Sequence, residues 1–208
     1  MINKIYSIKR ILFPNKKNNI FSICILLFGV ITGAIFANII GLNDKNLVID
    51  KIKLFIDNIN TGSIDSISLL KNSLSINFIY IIIIWILGMT IIGLLFNIIL
   101  LFTKGFIFSF SISAFILTYG YKGIILSLIY LLFGQFLNII VILFLSIYSI
   151  LFSIELFKTI FMGNNNIKSF IKKYLYILII AIIISIISSL CEAFILPSLI
   201  KLIIKLFI

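Results

Sequence analysis

Residues 20–40 read IFSICILLFGVITGAIFANII, 21 consecutive positions without a charged side chain. At about 1.5 Å of rise per residue, a helix of this length covers roughly 30 Å, the thickness of a hydrocarbon core. Gly29, Gly33, Ala37 and Gly41 recur every fourth position, so one face carries only small side chains. Such a face lets two backbones approach until van der Waals contact replaces the hydrophobic drive that lipid withholds. The stretch reads as a transmembrane helix. Lys4, Lys9, Arg10, Lys16 and Lys17 precede it as a basic leader over 1–19. A secretory signal would have a shorter apolar core and a clean cleavage site, so the run is expected to persist as the first span. Within the leader Ile2, Ile5, Ile8 and Leu12 share one face, which fits a short helix on an anionic leaflet. A basic tail without structure fits equally well.

Charges punctuate the remainder. Lys71 and Lys104 bracket 32 uncharged residues, and the second span is expected over 74–103. The third covers 105–121, with 17 uncharged residues, and the fourth covers 123–154, with 32. A polar loop over 155–173 contains Gly163-Asn164-Asn165-Asn166. The fifth span then runs over 174–196, followed by a tail over 197–208. The fold class is all-α, an integral membrane bundle of about five transmembrane helices. One amphipathic helix lies in the outer loop, 41–73.

Composition agrees with this layout. Hydrophobic residues make up 62% and charged residues 11%, with a mean hydropathy of +1.32. A soluble surface needs about a quarter charged residues, so an ordinary soluble domain is excluded. The net charge of +11 comes from basic residues at the edges of apolar runs, where they anchor and orient spans. They do not suggest nucleic acid; lipid is the expected partner. The absence of His removes histidine-based catalysis and His-ligated metals. The two cysteines, Cys24 and Cys191, fall near opposite membrane faces and are expected to be free thiols. No catalytic residue, cofactor, metal or small-molecule substrate is expected.

Orientation follows from Lys and Arg. With the N-terminus inside, the inner face holds the leader, Lys104, Lys158, Lys168, Lys172 and Lys173, a total of 10. The outer face holds 7: Lys45, Lys51, Lys53, Lys71, Lys122, Lys201 and Lys205. This places a multi-pass protein in the cell membrane with a cytoplasmic N-terminus and an external C-terminus.

Four groups of residues carry the functional expectations. In the outer loop Val48, Ile52, Phe55, Ile56 and Ile59 recur at helical spacing, with Asp50, Lys53, Asp57 and Asn58 away from that stripe. The stripe either lies on the bilayer or caps its own bundle, or it docks another protein. Small residues also repeat as Gly105, Ser109 and Ser113 on the third span, and as Ala181, Ser185, Ser189 and Ala193 on the fifth. Gln135 and Asn138, one turn apart on the fourth span, are expected to hydrogen-bond a neighbouring helix or to line a solute path. Glu192 is the one carboxylate embedded in apolar sequence. At the end of the fifth span it is expected to reach water or Lys201, as an anchor rather than a relay.

Several stretches follow a familiar order. Leu70-Lys71-Asn72-Ser73 comes first, then Trp85-Ile86-Leu87-Gly88-Met89-Thr90-Ile91-Ile92-Gly93. Lys104-Gly105-Phe106 and Gly120-Tyr121-Lys122-Gly123 follow, and then Cys191-Glu192-Ala193-Phe194-Ile195-Leu196-Pro197 with its Glu-Ala-x-x-x-Pro ending. Together they resemble the stage II sporulation protein M family, from about Ile20 to Pro197. The family commonly has a Pro-Gln-Asn-like segment in the fourth span, where this chain has Gly134-Gln135 with Asn138 further on. The resemblance implies a non-catalytic membrane scaffold. Proteins of that family hold two cell-wall hydrolases, stage II sporulation proteins D and P, at the septum while one cell engulfs the other. A transporter or permease subunit using Gln135, Asn138 and Glu192 is the alternative. An intramembrane hydrolase would need a nucleophile–base pair that the chain lacks.

Overall fold

The computed structural model describes residues 16–63, 65–162 and 167–207. The expected apolar face of the leader (Ile2, Ile5, Ile8, Leu12) and the segment Gly163-Asn164-Asn165-Asn166 lie outside the described residues. Every regular element among those described is helical: α1 (Lys16–Ile39), α2 (Leu42–Thr61), α3 (Ser66–Gly88), α4 (Gly93–Tyr119) and α5 (Tyr121–Ile129). A π turn (Tyr130–Gln135) joins α5 to α6 (Phe136–Met162). After α7 (Ile167–Leu190) a second π turn (Cys191–Ile195) leads into α8 (Leu196–Phe207). Five stretches are long and apolar enough to cross a membrane: Lys16–Ile39, Ser66–Gly88, Gly93–Tyr119, Tyr121–Phe161 and Phe170–Lys205.

The expected boundary between the second and third spans is corrected. The helices do not meet at Lys104 but at a turn over 89–92, and Lys104 lies inside α4 with 7% of its surface exposed. Thr90 Oγ1 accepts from Gly93 N at 2.9 Å, which caps α4, and a Cβ at Gly93 would overlap the Leu87 carbonyl. Turn chemistry, not charge, ends α3. At its other end Asp65 accepts from Ile67 N at 3.1 Å, so α3 starts at Ser66 and the outer loop is shorter than 41–73. The expected tail over 197–208 is mostly helical: α8 continues directly from the second π turn, with Pro197 at its second position.

α6 occupies the centre, packed on α1, α3, α4 and α7. Ile81, Ile84, Leu101, Ile142, Leu145 and Tyr174 form the main core. Trp85 and Phe152 stack on Tyr174 at ring-centroid distances of 6.0 and 4.8 Å.

A second core lies at the end of the bundle beside α2. Ile56 and Ile59 are buried against Phe115 of α4 and against Leu196 and Ile200 of α8, with Ile52 and Phe55 packed alongside. Val48 is only half-buried. The apolar stripe thus caps its own chain, which removes it as a partner-docking face. Each buried isoleucine contributes roughly 1.5–3 kcal/mol. Gly62, at φ 73°, ends α2 in a Schellman turn, with Ser63 N donating to Asn58 O at 3.1 Å.

Candidate functional site

Polar side chains inside a membrane bundle must find partners within the protein. Ser73 and Asn77 stand one turn apart on α3, as do Gln135 and Asn138 at the first π turn, and Ser189 and Glu192 at the second. The fold brings all six together. Asn77 Nδ2 donates to Ser189 Oγ at 3.0 Å and to Ser73 Oγ at 3.3 Å. Ser73 Oγ donates to Glu192 Oε2 at 2.6 Å. Gln135 Nε2 donates to Glu192 Oε1 at 3.2 Å, and Asn138 Nδ2 donates to Asn77 Oδ1.

Lys104 completes the group from α4. Its ammonium lies 5.1 Å from the Tyr80 ring centroid and is electrostatically coupled to Glu192. The two make no contact ion pair, whereas Lys158 and Glu155 do, at 3.0 Å. Glu192 thus has an intramembrane basic neighbour. Against its two expected contacts, water and Lys201, it is half-buried and makes no ion pair with Lys201. Lys201 Nζ instead lies 3.3 Å from where a Cβ would stand on Gly62, at the C-terminus of α2. The negative end of the α2 dipole favours a cation there.

The small residues divide by role. A Cβ on Gly29 or Gly33 would overlap the Phe102 or Phe106 carbonyl, and one on Gly105 would overlap that of Leu26. α1 therefore crosses α4 backbone to backbone. Ala37 and Ser109 are buried, whereas Ser113 is half-buried. Gly41 is corrected: it has nothing within 4 Å and is the residue before α2, so it packs against no helix. Ala181 lies in the main core, and Ala193, Ser185 and Ser189 are fully buried. Of these serines only Ser189 joins the network.

A second polar set, which charge and spacing did not reveal, lies toward the 89–92 turn. Asn97 donates to Ser149, and Ser149 donates to the Ile84 carbonyl at 2.9 Å. Ser153 Oγ lies 3.0 Å from the Gly88 carbonyl and 2.9 Å from that of Thr90, and Tyr174 donates to Trp85 O at 2.9 Å. The bonds to Trp85, Gly88 and Thr90 satisfy carbonyls freed at and just beyond the end of α3. Two surface grooves, one between α6 and α7 and one between α1 and α4, have apolar linings without any residue of either network. Cys24 and Cys191 are both free thiols. No group of three or more acidic or Cys side chains able to hold a metal ion occurs among the described residues.

In the first network, Ser73, Asn77 and Lys104 were not anticipated. The readable signal was spacing: Ser73 and Asn77 lie four apart in an apolar run, and Lys104 interrupts a pattern that is otherwise continuous.

Residues 22–197 match the family model described as stage II sporulation protein M. No curated protein and no solved structure matches the chain. The match extends from the first span through Pro197 and takes in both π turns and the 89–92 turn. This chain, a multi-pass helical membrane protein related to sporulation, belongs to the stage II sporulation protein M family.

Proposed function

We propose that the protein is a non-catalytic scaffold of the cell membrane that holds peptidoglycan hydrolases, of the stage II sporulation protein D and P kind, at the septum during engulfment. Family membership supports the setting, and the observation that carries the reading is the clamped α2. Its apolar stripe is held by α4 and α8, so its opposite side is presented as a fixed surface. Leu47 and Leu54 are exposed there at 61% and 59%, beside Asp50, Lys51 and Asp57. A scaffold needs a rigid presenting surface more than a cavity, because preorganisation lowers the cost of association.

The charge distribution supports a cytoplasmic N-terminus. With Lys104 inside the bundle, the leader side carries 9 Lys and Arg against 7 on the α2 side. The α2 surface then faces the wall compartment. A photo-crosslinking residue at Leu54, placed in sporulating cells, should capture hydrolases of this kind, while the same residue at Ile56 should capture only this chain. Hydrolase capture at neither site would overturn the scaffold reading.

A further inference from the structure

The groove between α6 and α7 lies within one leaflet. α4 has 27 residues and is about 40 Å long, enough to cross the hydrocarbon core and most of both headgroup layers. The 89–92 turn at its start therefore stands in a headgroup layer. Ser153 bonds to the Gly88 and Thr90 carbonyls, which puts it level with that turn. Tyr148 is five residues earlier on α6 and so about 7–8 Å deeper, at the edge of the hydrocarbon. From there the groove runs back along α6 to Ile140, about 12 Å further, and along α7 from Ile177 to Ile184. Its whole length falls inside a single layer of acyl chains.

The groove holds about 160 Å³ of free space, lined by Val141, Phe144 and Tyr148 of α6 and by Ile177, Ala181 and Ile184 of α7. An apolar cavity of roughly this size takes a guest such as benzene. A stretch of one acyl chain fits it, whereas a helix, about 10–12 Å across, does not. One wall is not inert. Tyr148 is 8% exposed, and its hydroxyl makes no hydrogen bond to any described residue. A buried tyrosine hydroxyl ordinarily finds a partner, and lipid tails offer none. At the depth of Tyr148, the ester carbonyl of a seated lipid would accept from it.

Charge continues the groove toward the membrane face. Tyr174 donates to Trp85 O, three residues before α3 ends, so Lys172 and Lys173 lie near the level of the turn. Lys173 is one turn before Ile177, on the same side of α7 as the groove wall, and both lysines are exposed. Lys173 Nζ stands 5.8 Å from the Phe170 ring centroid, and neither lysine contacts a carboxylate among the described residues. Glu155, the one acid in sequence between Tyr148 and Glu192, is paired with Lys158. Basic positions between spans at a membrane face suit anionic headgroups. We propose that the groove seats one chain of an anionic phospholipid from this leaflet, with its phosphate on Lys172 and Lys173 and an ester carbonyl on Tyr148. The site lies at the other end of the bundle from α2, so lipid binding and the scaffold role stand or fall separately.

Phosphatidylglycerol is the probe and phosphatidylcholine the neutral reference. The purified full-length chain, delipidated in detergent, is titrated with each lipid, and the bound lipid is counted by native mass spectrometry. One phosphatidylglycerol should be retained per chain at concentrations where phosphatidylcholine is not, and inorganic phosphate should not displace it. Lys172→Gln combined with Lys173→Gln should weaken binding roughly 20–30-fold, about five-fold per lysine. Tyr148→Phe should weaken it about 2–10-fold through the lost hydrogen bond. Ile180→Trp, at a half-buried wall position, should fill the groove and abolish retention, while Ile179→Trp, on the exposed side of α7, should leave it unchanged. Equal retention of the two lipids, displacement by inorganic phosphate, or unchanged binding in Ile180→Trp would overturn the site. So would a dimer that Ile180→Trp dissociates, since the groove would then hold a second copy of the chain. If Ile180→Trp does not fold, undiminished binding in the paired lysine variant and in Tyr148→Phe overturns the site in its place.

Discussion

Replacing Gly33 with Ala tests the backbone contact between α1 and α4. The added Cβ would overlap the Phe106 carbonyl oxygen and lie 3.0 Å from its carbon and Cα. None of these backbone atoms can rotate away, so the helices must separate by about 1 Å to restore ordinary contact. A gap of roughly 0.5–1 Å forfeits a quarter to a half of each dispersion well along the interface. Phe28–Phe102 and Phe36–Phe106, with ring centroids 5.8 and 5.5 Å apart, span the same interface and loosen with it. Each aromatic pair contributes about 0.5–1.5 kcal/mol. With overpacking strain included, the expected cost is about 2–3 kcal/mol, and more for Leu. Gly41→Ala is the internal control, since a Cβ there meets nothing within 4 Å and the cost should stay within about 0.5 kcal/mol. Both variants are compared by reversible unfolding in mixed detergent micelles. Equal stability of Gly33→Ala and Gly41→Ala would refute the crossing.

Two further substitutions probe the cap and the second polar set. Ile59→Ala, at a side chain 2% exposed, should destabilise by about 2–4 kcal/mol and hasten proteolysis within α2, while Leu54→Ala should change neither. Equal proteolysis rates for the two would remove the cap from the fold's stability. Ser149→Ala should cost about 1–3 kcal/mol because it leaves the buried Asn97 amide unpaired. Asn97→Leu should cost less, since the Asn97 Oδ1 is already without a partner; the reverse order in thermal melts would sink this accounting.

Hydropathy alone revealed five spans, because a soluble core of this size could not bury so many long uncharged runs. It misplaced two boundaries, because charge was taken as the mark of a helix end. Lys104 breaks that rule: Tyr80 and Glu192 make its burial tolerable, and both come from other helices. The turn that does end α3 was present in the letters Gly88, Thr90 and Gly93, whose meaning is local geometry rather than hydropathy. Gln135 and Asn138 were legible as helix-to-helix donors, and their acceptors proved to be Glu192 and Asn77. That Ser73 and Ser189 meet Glu192 was not legible, since it depends on two π turns that shift the helix register by one residue each. The stripe on α2 was legible as amphipathic, but its occupant lies some 140 residues further along the chain.

That separation sets a timetable for biogenesis. Ile59 is made long before Ile200, and at roughly 5–20 residues per second the interval is on the order of ten seconds or more. Until α8 emerges, the oily side of α2 has only Phe115 and Leu126 to pack on and lacks Leu196 and Ile200. Lys201 and the α2 terminus can meet only after α8 has been made, so α8 works as a late clasp. A chain cut short before Leu196 would insert most of its spans yet leave that helix unfastened, a feature a membrane quality-control protease can read.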